Sequence, residues 1–507
     1  MDPMIEMKKL YRKSSLLLAV AGLVLISASC AWAQSPAQPP QSGAATTTAP
    51  QSPGPEQDKK ADTANAEQKI SPKEAEKLFR DVDQIMQFAS KETGLPIKKE
   101  VKRRLVSRDE VVAYLQTNMA EDKDAQRLRR SELVLKKFGL LPRDFDLQTF
   151  LVALLREQVA GYYDVKNKTV NLLDWIDSEQ QRPVLAHELT HALQDQSFGL
   201  EKWMKVGDTD LNDKKETTAA DIENDEISEA RQAVVEGQAM VVLVDYLLAP
   251  TDQSIVTSPQ IADALKETML VGSDDSPEFK NAPIFLKEEL TFPYRYGLDF
   301  ETELLRVGGK EKAFASAFAN PPRTTRQIME PKTYLSGEQI EPMRLPDFER
   351  DFKNYERFDV GAIGEFDVAI LVDQYAGKEA SDNLYPHWRG GYYYTARPKG
   401  DPTAPLSLVY ASRWSSPEKA AAFADIYAQS LAKRYKHVTE VTQDAKNLSD
   451  NPRKFVVLTG PRTWTTEEGP VVIDIEGDSV LITESLDEPT TERLRQELFG
   501  TFVAAGK

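Results

Sequence analysis

The chain has 507 residues, of which 41% are hydrophobic and 28% are charged, and its net charge at pH 7 is −17. This length exceeds one ordinary hydrophobic core and predicts two or three domains. So acidic a chain is repelled by phosphate backbones and by anionic lipid, and we expect no nucleic-acid partner.

The N-terminus has the pattern of an export signal. Basic residues precede an apolar run from Leu16 to Ile26, and Ala31-Trp32-Ala33 offers a small-x-small cleavage site. The apolar run is shorter than the roughly 20 residues that span a bilayer. We therefore expect a signal peptide at residues 1–33 and a periplasmic or secreted protein after cleavage near Ala33. The alternative is lipoprotein anchoring at Cys30, although Ser27 suits that processing poorly.

Cleavage after Ala33 would also change the composition of the mature chain. It would remove Cys30, the one cysteine, so we expect no disulfide framework. The removed segment carries two more basic than acidic residues, so the net charge would fall from −17 to about −19. No other apolar run is judged long enough to span a bilayer, and we expect no transmembrane segment in the mature chain.

A linker is predicted to precede a mainly helical domain. Residues 34–70 are rich in Pro, Gln, Ala and Thr and nearly lack large apolar side chains, which indicates disorder. The domain is expected at 71–345, and its first helix begins with Ser71 as the cap and Pro72 in the first turn. Further helices are predicted at 108–118, 128–138 and 147–159.

The stretch from Ala160 to Trp175 interrupts the helices. It has the pattern of two short strands around Lys166-Asn167 and predicts an edge hairpin. The helix after it is predicted to begin between Ser178, which has the spacing of a capping box with Gln181, and Pro183, and to run to about Gln196.

That next helix carries candidate metal-binding and catalytic residues. His187 and His191 stand four residues apart, so their imidazoles lie about 40° apart on one helix face. Two imidazole nitrogens one turn apart suit a zinc ion. Glu188 lies about 100° around the helix, where a carboxylate is poorly placed as a ligand but can act as a general base on water.

A zinc site with two histidines needs a third protein ligand, which often is a carboxylate from a separate helix. Our candidate is Glu236, inside the apolar stripe of a helix predicted from Ile227 to Leu248. A buried carboxylate is costly unless it is paired or binds a metal, and the small Gly237 beside it would let a facing helix come close. Pairing of Glu236 with Arg231, or plain solvation, is the alternative. Weaker rivals for the ligand role are Glu223, Glu226, Glu229 and His387.

These residues resemble the gluzincin type of zinc metallopeptidase, of which thermolysin is a member, in His187-Glu188-Leu189-Thr190-His191 and in Glu236. The chain is also similar to exported bacterial proteins predicted to be zinc-dependent peptidases, which share AHELTHALQDQ, a preceding GYYD segment and a following EG-x-A segment. Further shared pieces are FPYRYG at 292–297 and PPRTTRQIMEPKTY at 321–334. The resemblance covers 147–335 and implies a zincin-like fold, bound Zn²⁺ and a protein or peptide substrate.

One position departs from the thermolysin pattern. Met240 stands where thermolysin has an Asp that orients a histidine, so such a group must come from elsewhere. Asp195, one turn beyond His191, is a candidate, and a solvated carboxylate at the helix end is the alternative. Spacing does not distinguish the possible donors to a developing oxyanion, which are Tyr294, Arg295, Tyr296 and His387.

The last third, 346–507, predicts a C-terminal α+β domain. Helices are expected at 361–375 and from Ser416-Pro417 onward, and strands at 390–397, 406–414, 455–458, 471–475 and 480–483, the last two joined at Gly477-Asp478. The aromatic and basic cluster from Tyr385 to Gly391 is interpreted as packing at a domain junction, with substrate or partner binding as the alternative.

The sequence therefore predicts an α+β fold, with a mainly helical zincin-like metallopeptidase domain, a short edge hairpin and a C-terminal α+β domain. The predicted function is zinc-dependent hydrolysis of peptide bonds, with Zn²⁺ on His187, His191 and Glu236 and with Glu188 activating the water. The alternative is a non-catalytic, zinc-containing binding or chaperone-like envelope protein. Glu188 argues against it, because structural zinc has no use for an acid beside its ligands and normally has four protein ligands. Zinc hydrolysis of a non-peptide bond is a third possibility.

Overall fold

The computed structural model describes residues 69–111, 113, 122–157, 161–206, 218–271, 276–441 and 461–500. The signal peptide expected at 1–33, and the expected linker up to residue 68, lie outside these residues. Within the described part of the chain the fold is α+β, as predicted. A mainly helical half is followed by a half built on a seven-stranded sheet.

The helical half consists mainly of helices, together with a small three-stranded sheet. Its helices are α1 (Pro72–Thr93), α2 (Asp122–Phe138), α3 (Leu147–Glu157), α4 (Ser178–Phe198), α5 (Leu200–Trp203), α6 (Ala219–Leu248), α7 (Pro259–Val271), α8 (Pro277–Lys280), α9 (Ile284–Lys310), α10 (Ala317–Ala319), α11 (Thr325–Met329) and α12 (Pro331–Ser336). A 3₁₀ turn (Ala249–Thr251) follows α6, and a π-helical turn (Glu311–Ser316) follows α9. Its strands are β1 (Lys102–Val106), β2 (Tyr162–Asp164) and β3 (Thr169–Leu173).

The start of the helical half agrees with the sequence pattern. The Ser71 hydroxyl accepts a hydrogen bond from the Glu74 backbone N–H, and the Glu74 carboxylate accepts one from the Ser71 N–H at 2.7 Å. This capping box satisfies N–H groups that the first helical turn leaves unpaired. Of the helix predicted at 108–118, the described residues 108–111 and 113 are helical.

The predicted hairpin is present, and it forms the edge of a three-stranded sheet with the order β1-β3-β2. Strands β2 and β3 are antiparallel, and the turn between them is held by the Asp164 carboxylate, which accepts from the Lys166 and Asn167 backbone N–H groups. Strand β1 pairs in parallel with β3 and was not predicted. The hairpin leaves the outer side of β2 free to face α4.

Helix α4 begins at Ser178, within the predicted range of its start, but its cap differs from the predicted one. Its cap is Asp177, whose carboxylate accepts from the Glu179 N–H, and Ser178 is already helical. The Gln181 side chain instead binds backbone groups of Leu173 and Ile176, which joins the helix to β3. The helix ends at Gly199, where φ is 68°.

Helix α6 begins at Ala219, eight residues earlier than predicted. The stretch Ala219–Thr251 is long and apolar enough to cross a membrane by length and composition, which corrects the expectation that no stretch after the N-terminus reaches that length. In the fold, 67% of its apolar window is buried, and core helices pass the same test. The helix packs against α4 and α9 and lies at the centre of the helical half.

The second half is an antiparallel sheet with the order β4-β5-β6-β10-β9-β8-β7. Its strands are β4 (Tyr355–Ala362), β5 (Trp388–Pro398), β6 (Ser407–Trp414), β7 (Val438–Val441), β8 (Arg462–Thr466), β9 (Gly469–Glu476) and β10 (Ser479–Glu484). Its helices are α13 (Phe348–Asp351), α14 (Glu365–Ala376), α15 (Lys378–Leu384), α16 (Pro417–Arg434) and α17 (Glu488–Phe499), with a 3₁₀ turn at Tyr385–His387.

Several predictions for this half are confirmed and one is corrected. Strands β5, β6, β9 and β10 and helix α16 lie where the sequence placed them, and Gly477 turns the last hairpin with φ 58°. The helix predicted at 361–375 begins only at Glu365, because the chain up to Ala362 pairs with β5 as strand β4. The strand predicted at 455–458 lies outside the described residues.

The two halves share one core. Buried apolar side chains form a continuous cluster that reaches from Leu78 in α1 to Ile482 in β10. At the junction the Arg434 guanidinium binds the Glu484 carboxylate at 2.8 Å and also the backbone carbonyl of Lys137. Trp388 is likewise buried, which agrees with a packing role for the aromatic cluster around it. The boundary expected at 345/346 stays a prediction.

Candidate metal centre

Helix α4 aims its two motif histidines at one point. The Nε2 atoms of His187 and His191 lie 3.0 Å apart, and their ring planes are nearly perpendicular. His187 is fully buried, and the His191 side chain is 11% exposed. The i and i+4 positions of one helix therefore place two nitrogen donors side by side.

Helix α6 supplies a carboxylate to the same point. The Oε2 atom of Glu236 lies 3.1 Å from Nε2 of His187 and 3.3 Å from Nε2 of His191. The Gln232 side-chain amide donates to the other oxygen, Oε1, at 2.7 Å. The three residues predicted as metal ligands are thus brought together, and one ligand atom from each lies within 4.8 Å of the others.

The donor set fits a tetrahedral metal ion. Three ligand atoms at about 2 Å from one tetrahedral ion lie roughly 3.3 Å from each other, which agrees with the separations of 3.0, 3.1 and 3.3 Å. Two imidazoles and one carboxylate are the donors of catalytic zinc sites, which keep the fourth position open. The group could therefore hold a metal ion.

The charges at the centre follow from burial and from mutual contact. Burial alone would raise the pKa of the Glu236 carboxyl, but His191 and His187 hold that pKa well below its usual value. Burial lowers the pKa of His187. For His191 burial acts in the same direction, but the neighbouring Glu236 outweighs it and raises the pKa to about 9. Glu236 is thus a carboxylate, the form that binds a cation.

Glu188 lies beside this group and is held by the edge strand. The backbone N–H of Tyr163 in β2 donates a hydrogen bond of 2.7 Å to Oε2 of Glu188. The Glu188 carboxyl is buried, and burial raises its pKa to about 8. The hairpin therefore fixes one oxygen, Oε2, of the predicted general base.

Asp195 does not orient a histidine. Its carboxylate accepts from the Tyr163 hydroxyl at 2.9 Å and from the Leu200 N–H at 3.1 Å, and it pairs with Lys168 at 2.7 Å. It ties the hairpin to the end of α4. Gln194 stands in the orienting position instead, because its Oε1 lies 2.9 Å from Nδ1 of His191. Gln194 was not among the predicted site residues, although its i+3 spacing from His191 was a usable signal.

Of the four possible oxyanion donors, Tyr294 lies at the centre. Its ring stacks near the His187 ring, with 6.2 Å between centroids. Its hydroxyl is buried without a well-formed hydrogen bond to any described residue, and burial together with Glu236 and Glu188 raises its pKa well above the usual value. The other three candidates are engaged elsewhere. Arg295 pairs with Glu288, Tyr296 packs on Phe366, and His387 binds Ser415.

The rival carboxylates lie away from the centre. Glu223 pairs with Arg323, and Glu226 accepts from the Thr325 backbone and hydroxyl. Glu229 is buried among other acids, with Glu289 as its strongest charged neighbour. Among the described residues, only His187, His191 and Glu236 form a group with metal-ligand spacing.

Comparisons of the chain with protein-family models, with curated proteins and with solved structures found no match.

Proposed function

We propose that this chain is an exported zinc metallopeptidase that hydrolyses peptide bonds of a protein or peptide substrate. The observation that carries the proposal is the convergence of His187, His191 and Glu236 within 4.8 Å, from two helices, with Glu188 held next to them. Two imidazoles, one carboxylate and one further acid are the parts that metal-assisted hydrolysis needs.

His187, His191 and Glu236 would hold the ion. When bound, zinc supplies Lewis acidity, which polarises a carbonyl group and makes water a stronger acid. The preformed ligand spacing reduces the reorganisation that binding needs, and the buried surroundings strengthen each electrostatic contact.

Glu188 takes the proton of the attacking water and passes it to the leaving amine. Its position suits this role because Tyr163 holds only Oε2, so Oε1 can face the reacting atoms. Tyr294 donates a hydrogen bond to the oxygen on which negative charge develops. Its buried hydroxyl stays protonated, because burial and the nearby carboxylates oppose its ionisation.

Cleavage assays test the proposal. The zinc-loaded mature chain, starting at Gln34, is incubated with an unfolded protein, and the new termini are identified by mass spectrometry. Three forms are compared: wild type, Glu188→Gln and, as a matched control on the same helix, the exposed Glu179→Gln. We expect cleavage by wild type and control, and a loss of about 10²–10⁴-fold in Glu188→Gln.

Two results would contradict the proposal. Equal cleavage by Glu188→Gln and wild type would show that Glu188 takes no part in the reaction. Absence of cleavage by zinc-loaded wild type across a broad peptide library would favour the non-catalytic binding protein instead.

A further inference from the structure

Two buried glutamines form a chain of hydrogen bonds that ends on His191. Gln194 belongs to α4 and Gln238 belongs to α6, and both are fully buried. Oε1 of Gln194 lies 2.9 Å from Nδ1 of His191, and Nε2 of Gln194 donates to Oε1 of Gln238 at 2.9 Å. Nε2 of Gln238 donates in turn to the backbone carbonyl of Ala313 at 2.8 Å.

Backbone carbonyls fix the direction of both amides. A carbonyl oxygen only accepts hydrogen bonds, so the atom of Gln238 that faces Ala313 O must be the NH₂ group. The same holds for Gln194, whose Nε2 also donates to the carbonyl of Val235 at 3.0 Å. The oxygen of Gln194 is therefore the atom that faces His191, and this assignment does not depend on the histidine.

The direction of the amides determines the tautomer of His191. An amide oxygen accepts, so Nδ1 of His191 must carry a proton. In the neutral imidazole the lone pair then stands on Nε2, the nitrogen that faces Glu236 and His187. The proton on Nδ1 thereby leaves Nε2 as the nitrogen that can bind a metal once the ring is neutral.

His187 lacks such support. Its Nδ1 is buried and has no hydrogen-bond partner among the described residues. The two histidines of one motif are thus held differently at Nδ1, where His191 has a side-chain partner and His187 has none among the described residues. The hydrogen-bond chain that begins at His191 ends at Ala313. This residue lies in the π-helical turn Glu311–Ser316, and such turns are frequent at functional sites.

We propose that Gln194 and Gln238 are positioning residues that set His191 in the Nδ1–H tautomer and so present Nε2 to the metal. The role in metal binding rests on the proposed function, whereas the tautomer is a property of the metal-free protein. The two can therefore be tested apart.

The tautomer is read by NMR of the metal-free mature chain labelled with ¹⁵N-histidine, at a pH above the His191 pKa of about 9 so that the ring is neutral. The chain has only four histidines, so the ring nitrogens can be assigned by replacing one histidine at a time. We expect a protonated Nδ1 and an unprotonated Nε2 on neutral His191, and a mixture of tautomers in Gln194→Leu. The opposite tautomer in wild type, or an unchanged tautomer in Gln194→Leu, would overturn the proposal.

Zinc affinity is measured by competition with a chelator for Gln194→Leu, Gln238→Leu and the double variant. The control is Gln196→Leu, which removes an amide of the same helix whose partners among the described residues are Lys98 and Lys99. Loss of a group that orients a ligand weakens metal binding about 10–100-fold. We expect such a loss for Gln194→Leu, a smaller loss for Gln238→Leu, and no change for the control.

The double variant distinguishes two cases: Gln238 acts through Gln194 in one chain of hydrogen bonds, or the two glutamines act independently. If Gln238 acts through Gln194, then Gln238→Leu costs nothing further once Gln194 is replaced by Leu. Fully additive losses, or wild-type affinity in a folded Gln194→Leu, would overturn the proposal. If wild type binds no zinc, the proposed function fails, and the NMR result alone decides on the tautomer.

Discussion

Gly237 of α6 and Gly297 of α9 lie in such close contact that a Cβ added to Gly237 would lie 2.3 Å from the carbonyl of Gly297. A Cβ added to Gly297 would lie 2.3 Å from the backbone oxygen of Ala233. The residue before Gly237 is the proposed ligand Glu236, and Tyr294 lies three residues before Gly297. The close helix contact therefore brings the tyrosine to the metal centre.

Gly297→Ala is expected to separate the two helices. An ordinary Gly→Ala change inside a helix stabilises it by about 0.5–1 kcal/mol, whereas here the new methyl group meets rigid backbone. We expect a loss of about 1–3 kcal/mol in the free energy of unfolding, measured by urea denaturation, together with weaker zinc binding. A gain in stability would show that the contact is looser than the structure indicates.

Tyr294→Phe is expected to slow catalysis and to leave zinc binding unchanged, because the hydroxyl is not a ligand. Removal of one oxyanion donor lowers kcat about 10²–10³-fold. The matched control is Tyr296→Phe, whose ring packs on Phe366 away from the metal centre. Kinetics on a cleaved peptide measure both variants, and equal kcat values for Tyr294→Phe and wild type would remove Tyr294 from the mechanism.

Asp195→Asn is expected to lower stability but not zinc affinity. The carboxylate joins Tyr163, Lys168 and the N–H of Leu200, and it contacts neither proposed histidine ligand. Hydrogen bonds to a charged group contribute about 1.5–3 kcal/mol, so thermal unfolding should occur at a lower temperature. A drop in zinc affinity as large as that of Gln194→Leu would contradict the different roles assigned to these neighbours.

Stability is expected to fall as pH rises from about 4.5 to 8, because of the buried acids Glu226 and Glu289. Burial and the nearby Asp367 raise the pKa of each to about 8 in the folded protein, from 4.5. A carboxyl with a raised folded pKa favours the folded state while it is protonated, and this contribution is lost as pH passes through that pKa.

The variant Glu289→Gln, which cannot ionise, isolates this effect. It should resemble wild type near pH 4.5 and unfold at a higher temperature than wild type near pH 8.5. Melting curves across this range measure the difference. Parallel pH profiles for the two proteins would show that Glu289 does not ionise within it.

The three proposed ligands could be predicted from the sequence because each has a local signal. His187 and His191 have the i, i+4 spacing of one helix face, and Glu236 is a carboxylate in an apolar stripe next to a glycine. A helix repeats every 3.6 residues and a buried charge needs a partner, so these signals do not depend on the rest of the fold.

The groups around the ligands could not be predicted, because distant elements select them. Gln194 and Asp195 both lie about one turn beyond His191. Because the hairpin binds Asp195 through Tyr163 and Lys168, Gln194 is the residue that contacts His191. Tyr294 was one of four possible donors, and the contact between Gly237 and Gly297 selects it. Strands β1 and β4 were missed for the same reason, since each forms against a strand elsewhere in the chain.

The metal content of the purified mature chain tests the central claim most directly. After zinc loading and removal of free metal, we expect about one zinc per chain in wild type and in Glu188→Gln, and much less in Glu236→Gln. The amide oxygen that Glu188→Gln introduces can still accept from the Tyr163 N–H, so this variant should keep its fold and its metal. Well-folded wild type without bound zinc, or a Glu236→Gln variant that binds zinc as tightly as wild type, would contradict the proposed centre.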